Sequence, residues 1–197
     1  MMKSKKHTEF IWEYENVTSK EECSHILSLI RNSKLYDQVI EKKEHRSKVR
    51  NNSSINVTQA AQYDKHMNAA DYLIHKLFSS VHQHYLNHNK SYFALSTAQY
   101  LCNMTCSYTY RTYDESDYYD WHIDSSETSR LLLSYILYLN DDFDGGNTLF
   151  LHQRKKVVPK VGSMLCFPCD FQTVHKSSPI RRGRKDIIWT CMEYCQN

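Results

Sequence analysis

Two histidines and an aspartate in the second half of the chain have the types and spacing that hold a catalytic metal: His122, Asp124 and His175. His122 and Asp124 close a stretch, Asp117 to Trp121, whose extended reading puts residues two apart on one face, so that both side chains aim at one ion. His175 follows after two further strand-like segments and completes a set of two imidazoles and one carboxylate. Such a set occupies one face of a non-haem Fe(II) and leaves the opposite positions open for a cosubstrate and O2. The chain holds 11 histidines, so a His-x-Asp triplet alone is weak, and the weight falls on its surroundings.

Lys185 stands ten residues beyond His175 (185 − 175), across a turn containing Pro179 and Gly183. A cation there would neutralise the distal carboxylate of a dicarboxylate bound to the metal. Without the triad, Arg181 to Lys185 would read as a solvated basic turn. Leu131 to Leu139 reads as a strand with Ser134, Ile136 and Tyr138 on one face and Leu131, Leu133, Tyr135, Leu137 and Leu139 on the other. Asn140 to Asn147 then reads as a reverse turn, because Asp, Asn and Gly tolerate positive φ, and Thr148 to Leu151 begins the next strand. A calcium loop is the competing reading of those aspartates, and their spacing does not fit one.

From roughly residue 98 to residue 194 these features, taken in order, resemble the prolyl 4-hydroxylase-like branch of the Fe(II)/2-oxoglutarate dioxygenases. The resemblance rests on the His122, Asp124 and His175 set, on Tyr113 nine residues before His122 (122 − 113), and on Tyr119 three before it (122 − 119). It rests also on Tyr138-Leu139-Asn140 followed by Gly145-Gly146, and on the His175 to Lys185 spacing. It implies a mainly β fold with N-terminal helices, an α+β chain whose core is a double-stranded β-helix of the jelly-roll, cupin-like type. It implies Fe(II) on His122, Asp124 and His175, and 2-oxoglutarate held at its far end by Lys185 with Tyr138 and Tyr113. Tyr119 and Trp189 then lie on the substrate side. The implied reaction consumes O2, with ascorbate in support, hydroxylates a C–H bond of a peptidyl proline or other protein residue, and releases succinate and CO2. Two positions depart from the family pattern. The loop Asp114-Glu115-Ser116-Asp117 carries no glycine, and the tryptophan, Trp189, comes four rather than six residues after Lys185.

At 197 residues, with 41% apolar and 24% charged residues, the chain has the size of one domain, 1–197, with 1–95 as mainly helical support and 96–197 as the catalytic β-helix. In the first part, Thr18-x-x-Glu21 or Ser19-x-x-Glu22 offers a capping box ahead of Cys23, Ile26, Leu27 and Ile30 at helical spacing. A second helix is predicted from near Thr58, with Tyr63, Met67, Ala70, Ile74, Leu77, Phe78, Val81 and Tyr85 on one face. His84 and His88, one turn apart, fall on its polar side and read as solvated rather than metal-binding.

No run of about 18 apolar residues is present, and the basic start Lys3 to Lys6 is not followed by an apolar segment, so neither a membrane span nor a signal peptide is predicted. Seven cysteines, an odd number without an export signal, point to free thiols in a reducing, cytoplasmic setting. Cys166-Phe167-Pro168-Cys169 has the spacing of a zinc or redox pair, to which Cys102/Cys106 or Cys191/Cys195 would add ligands, but Cys166 sits in an apolar run and reads better as a small buried hydrophobe.

Net charge is +3, with positive clusters at Lys42 to Arg50, Arg154 to Lys160 and Arg181 to Lys185. Such clusters would suit nucleic acid. The loop bearing Asp114, Glu115, Asp117 and Asp120 instead favours a basic peptide, and the Arg-x5-Arg ending of the nucleic-acid demethylases is missing after His175. A protein or peptide substrate therefore leads. The alternatives are a nucleic-acid or small-molecule oxygenase of the same superfamily, a metal-binding jelly roll without turnover, and a zinc or thiol protein built on Cys166 and Cys169.

Overall fold

The computed structural model describes residues 2–39, 49–91, 101–105, 107–125 and 131–194. In chain order its elements are β1 (Lys3–Lys6), β2 (Trp12–Glu15), α1 (Lys20–Arg31), α2 (Tyr36–Val39), β3 (Arg50–Asn51), β4 (Ser53–Asn56), α3 (Val57–Ala60), α4 (Lys65–His88), β5 (Leu101–Thr105), β6 (Thr109–Tyr113), β7 (Tyr118–His122), β8 (Leu131–Tyr138), β9 (Asp144–Gly145), β10 (Thr148–Phe150), β11 (Lys155–Val157), β12 (Met164–Pro168), β13 (His175–Ser177), β14 (Ile180–Arg182) and β15 (Lys185–Tyr194).

The strands pair antiparallel into two main sheets. One runs β1-β2-β12-β8-β15-β6-β4, with β5 added on β15; the other runs β11-β10-β13-β7-β3; β14 and β9 form a short ribbon. The two sheets face each other, Phe150 of β10 meeting Phe167 of β12 edge to face at 5.1 Å. This is the jelly-roll arrangement expected from the resemblance.

The alternation read in β8 divides the interior. Leu133, Tyr135 and Leu137 join a core with the buried faces of α1 and α4, including Ile26, Ile30, Ile74 and Phe78. Ile136 and Tyr138 point the other way, into a core between the sheets with Phe150, Leu165, Phe167 and Ile187. Each large side chain so buried contributes roughly 1.5–3 kcal/mol. The sheet is thus anchored on both faces, and its inner face is fixed in register around the site.

Helix α1 begins on the capping box formed by Ser19 and Glu22: Glu22 N donates to Ser19 Oγ at 3.1 Å and Ser19 N to Glu22 Oε2 at 3.0 Å. The predicted second helix divides. Asn56 caps the short α3, the chain turns, and Asp64 caps α4 through the amides of His66 and Met67. Tyr63 falls in that break and is exposed, so it leaves the apolar face assigned to it, while Met67, Ala70, Ile74, Phe78, Val81 and Tyr85 keep theirs. The first half of the chain is also less purely helical than expected, since β1, β2 and β4 extend the larger sheet and β3 the smaller.

Among the described helices none is long and apolar enough to cross a membrane. Cys23, Cys166, Cys169 and Cys191 are buried thiols outside any disulfide among the described residues, and burial pushes the Cys166 thiol well above its ordinary range. Cys106 and Cys195, and the basic residues 42–48, lie outside the described residues, as does the side chain of Cys102. His88 stacks on Trp12 at 4.5 Å, a packing role.

Candidate metal centre and cosubstrate pocket

Strand register builds the site. His122 at the end of β7 stands directly opposite His175 at the start of β13, and Phe150 of β10 stands on the other side of His175. Asp124, two residues past His122, brings its carboxylate between the rings: Oδ1 lies 3.5 Å from His122 Nε2 and Oδ2 lies 3.8 Å from His175 Nε2. The three ligand atoms fall within 4.8 Å of one another, the one such His/Cys/Asp/Glu group among the described residues. No thiol cluster competes with it there.

Hydrogen bonds settle which ring nitrogens are available. His122 Nδ1 donates to the Asp120 carbonyl at 2.7 Å and His175 Nδ1 to the Thr173 carbonyl at 3.0 Å, because a carbonyl oxygen only accepts. Both Nε2 atoms therefore present lone pairs inward. Burial drives the His175 pKa down to about 4, so its ring is neutral. Burial alone would raise the Asp124 carboxyl, but the facing histidines hold it well below the usual carboxylate range. Its Oδ2 is buried and has no hydrogen-bond partner among the described residues. Two ring nitrogens and a carboxylate oxygen converging on one point suit a cation, and the donor set fits Fe(II).

A second polar group lies deeper. Lys185 opens β15 opposite Tyr113 of β6, is 2% exposed, and donates to the Gly146 carbonyl at 2.7 Å and to Ser177 Oγ at 2.9 Å. Both acceptors are neutral. Burial lowers its pKa to about 7. Its ammonium sits 5.2 Å from the Tyr113 ring and 5.7 Å from the Tyr138 ring, and the Tyr138 hydroxyl shares a 2.8 Å hydrogen bond with Thr148. One pocket is lined by the metal set and Lys185 together, with Tyr113, Tyr119, Thr148, Ser177, Trp189 and Arg111. A dicarboxylate reaching from the metal to Lys185 would find opposite charge at both ends.

Local sequence explains how Lys185 is held. Asn140, ending the Tyr138-Leu139-Asn140 run, donates to the Arg184 carbonyl at 2.7 Å and accepts from Asp186 N at 2.8 Å, clamping the chain on either side of Lys185. Gly145 has φ +91°, and a Cβ there would lie 2.2 Å from the Pro179 carbonyl oxygen, so only glycine turns the hairpin that presents Gly146 to the ammonium.

The loop without glycine closes by another device. Ser116 takes the left-handed conformation, φ +70°, while Asp117 accepts from Asp114 N at 2.8 Å and Ser116 N donates to the Ile180 carbonyl at 2.8 Å. Its acids are partly engaged: half-buried Asp114 pairs with Arg184 at 2.7 Å, exposed Glu115 accepts from Gly183 N, and Asp117 is 1% exposed, while Asp120 remains exposed. Part of the loop's charge is thus balanced within the protein, which weakens the attraction expected for a basic peptide.

On the other side of the metal, the Tyr119 ring lies flat on His122, centroids 3.5 Å apart and planes 9° from parallel. Trp189 enters the pocket from β15 and donates its Nε1 hydrogen to Ser134 Oγ at 2.9 Å. Thr148, Ser177 and Arg111 escaped the sequence reading. Ser177 could have been found, since it shares the face of His175 two residues on; Thr148 and Arg111 depend on cross-strand register that no local spacing reveals.

Residues 108–191 match the model of the 2OG-Fe(II) oxygenase superfamily. Among curated proteins no significant relative is found. Solved structures share the fold. The viral collagen prolyl hydroxylase of Paramecium Bursaria Chlorella virus-1, solved as a 2OG complex, is 18% identical with a TM-score of 0.66, covering 94% of this chain and 97% of that one. A Pseudomonas putida prolyl-4-hydroxylase is 16% identical with a TM-score of 0.66, covering 93% and 92%. A Trichoplax adhaerens prolyl hydroxylase, solved with a hypoxia inducible factor oxygen degradation domain peptide fragment, is 16% identical with a TM-score of 0.70, covering 94% and 84%.

Proposed function

We propose that this chain, which matches the 2OG-Fe(II) oxygenase superfamily over residues 108–191 and shares the prolyl hydroxylase fold, is a 2-oxoglutarate-dependent dioxygenase that hydroxylates a C–H bond of a peptide or protein substrate, first among them a prolyl residue, releasing succinate and CO2. The observation that carries the proposal is one pocket with the His122, Asp124 and His175 group at one end and, at the other, a buried lysine that no carboxylate among the described residues pairs with.

His122, Asp124 and His175 hold Fe(II) in this reading, and Lys185, with Tyr113 and Tyr138, holds the distal carboxylate of 2-oxoglutarate. When bound, the iron and 2-oxoglutarate supply the activation of O2 that breaks the C–H bond. The chain supplies placement. Asp120 and Thr173 fix both imidazoles with Nε2 turned inward, so no ring must reorient when the metal arrives. Lys185 has a third ammonium hydrogen beyond those given to Gly146 and Ser177, and a carboxylate beside it restores the charge that burial disfavours. Apolar walls from Ile136 and Ile187 narrow the pocket and exclude water around the reacting centre. Tyr119 and Trp189 flank the remaining opening and would orient the target C–H. The peptide seated on the Trichoplax hydroxylase supports a peptide as the class of substrate.

The test is 2-oxoglutarate decarboxylation with Fe(II) and ascorbate, first without substrate and then against proline-containing peptides read by mass. Succinate formation and a gain of one oxygen on a peptide are expected. Turnover confined to an oligonucleotide or a small molecule would replace the substrate class.

A further inference from the structure

Beside the metal pocket lies a groove of about 460 Å³, and one residue, Arg111, lines both. Strand register explains the position. Arg111 stands on β6 between Ser54 of β4 and Ile187 of β15, on the same face as Tyr113 two residues away. Its guanidinium stacks 4.2 Å from the Trp189 ring centroid and 5.9 Å from that of Tyr119, and Tyr119 in turn covers the His122 ring. The charge is therefore within one substrate residue of the metal set.

Arg111 is 8% exposed, its Nε is buried with no hydrogen-bond partner among the described residues, and its guanidinium lies within hydrogen-bonding reach of the Tyr113 hydroxyl. Among the described residues no carboxylate reaches salt-bridge distance of it. Burying a guanidinium without an anion is costly, and such a group marks where an anion is to be received. The groove agrees: Arg50, Ser54, Asn56, Gln59 and Thr109 join Arg111 in its polar lining, and no acidic residue among those described lines it. The acids near the mouth are turned toward Arg184 and Gly183 instead.

We propose that Arg111 is the base of an anion subsite and that the substrate is an acidic peptide, with a carboxylate on the hydroxylated residue or the one next to it. The planar fork of Arg111, backed by the Trp189 indole, suits a carboxylate approached in plane. Arg111 is thus a specificity-determining residue of the reaction proposed above, on which this inference rests. Among the described residues the groove's lining holds two basic side chains, Arg50 and Arg111, too few to follow a phosphate backbone, which favours a peptide.

The test uses the anaerobic Fe(II) and 2-oxoglutarate complex of the full chain with proline-centred peptides in matched pairs: Asp against Asn and Glu against Gln beside the proline, and free against amidated C-termini. Binding is read by fluorescence polarisation across a salt series. The wild type should prefer the acidic member by roughly tenfold to a hundredfold, and the pair showing it tells side-chain from terminal carboxylate. Arg111→Gln should bring the ratio near one, and Arg111→Lys should keep part of it. Equal affinity within the wild-type pairs overturns the proposal even if Arg111→Gln fails to fold, as does an unchanged ratio in a folded Arg111→Gln or an oligonucleotide that outcompetes every acidic peptide. Acid preference in a protein that never decarboxylates 2-oxoglutarate would uphold the subsite and refute the oxygenase reading, so the two failures are distinct.

Discussion

His122 on β7 and His175 on β13 are partners in one antiparallel register, their ring centroids 4.2 Å apart. Two ligands far apart in sequence are thus set by the sheet itself, and only Asp124 depends on the chain just beyond a strand. A metal seated here ties β7 to β13, so it stabilises the folded protein in proportion to its affinity and concentration.

His122→Ala, Asp124→Ala and His175→Ala should each abolish 2-oxoglutarate turnover and remove the rise in Tm that Fe(II), or Co(II) in its place, gives the wild type. Asp124→Gly is the finer case, since it opens a position on the metal while both histidines stay. Calorimetry with and without metal checks the series; full activity and an intact metal-induced shift in all three alanine variants would refute the ligand assignment.

Lys185→Ala should raise the 2-oxoglutarate requirement by roughly tenfold to a hundredfold, the loss of one charge-assisted contact of about 1.5–3 kcal/mol. Lys185→Arg should retain part of the affinity, because charge survives with altered geometry. Steady-state KM for 2-oxoglutarate decides this. An unchanged value in Lys185→Ala would return that residue to a structural role and shift attention to Arg182 or Arg184.

The low lysine pKa gives a pH dependence of definite sign. With the site empty, Lys185 loses its proton as pH rises through about 7, whereas a bound carboxylate requires the charged form. Binding at higher pH must therefore take up a proton, and affinity should fall toward about tenfold per pH unit. The same shift means that this side chain costs the empty fold stability below its unfolded pKa, a cost that disappears as pH rises above that value. Titration calorimetry in buffers of different ionisation enthalpy should detect proton uptake at pH 8 in the wild type and none in Lys185→Arg.

Gly145→Ala should destabilise by about 1–3 kcal/mol, since the new Cβ would meet the Pro179 carbonyl at 2.2 Å in a backbone of φ +91°. Displacing the hairpin also moves the Gly146 carbonyl away from Lys185, so KM for 2-oxoglutarate should rise along with the loss in Tm. A Tm loss with unaltered KM would separate the hairpin from the cosubstrate.

The grouping of His122, Asp124 and His175 was legible in sequence because its strongest part, His122 and Asp124, obeys the period of a strand, and because the spacing to His175 and Lys185 matches a known pattern. The division of β8 into a helix-facing and a site-facing side followed from the same period. Other parts were hidden for physical reasons. Lys3 to Lys6 forms β1 although all four residues are exposed, so no apolar alternation marks it. Tyr63 looked like a core position until Asp64 restarted the helix. Arg111 lies in a short mixed run, Thr109 to Tyr113, and its importance arises only when β6 pairs with β15 and sets it against Trp189. For the acidic loop, sequence shows the charges of Asp114 and Glu115 but not their partners Arg184 and Gly183.

The most direct measurement is succinate formed from 2-oxoglutarate by the purified protein under air with Fe(II) and ascorbate, compared with His175→Ala and with a metal-chelated control. Succinate well above both controls, in step with CO2 release, is the expected result. A wild type that binds Fe(II) at this site yet forms no more succinate than His175→Ala would contradict the oxygenase assignment.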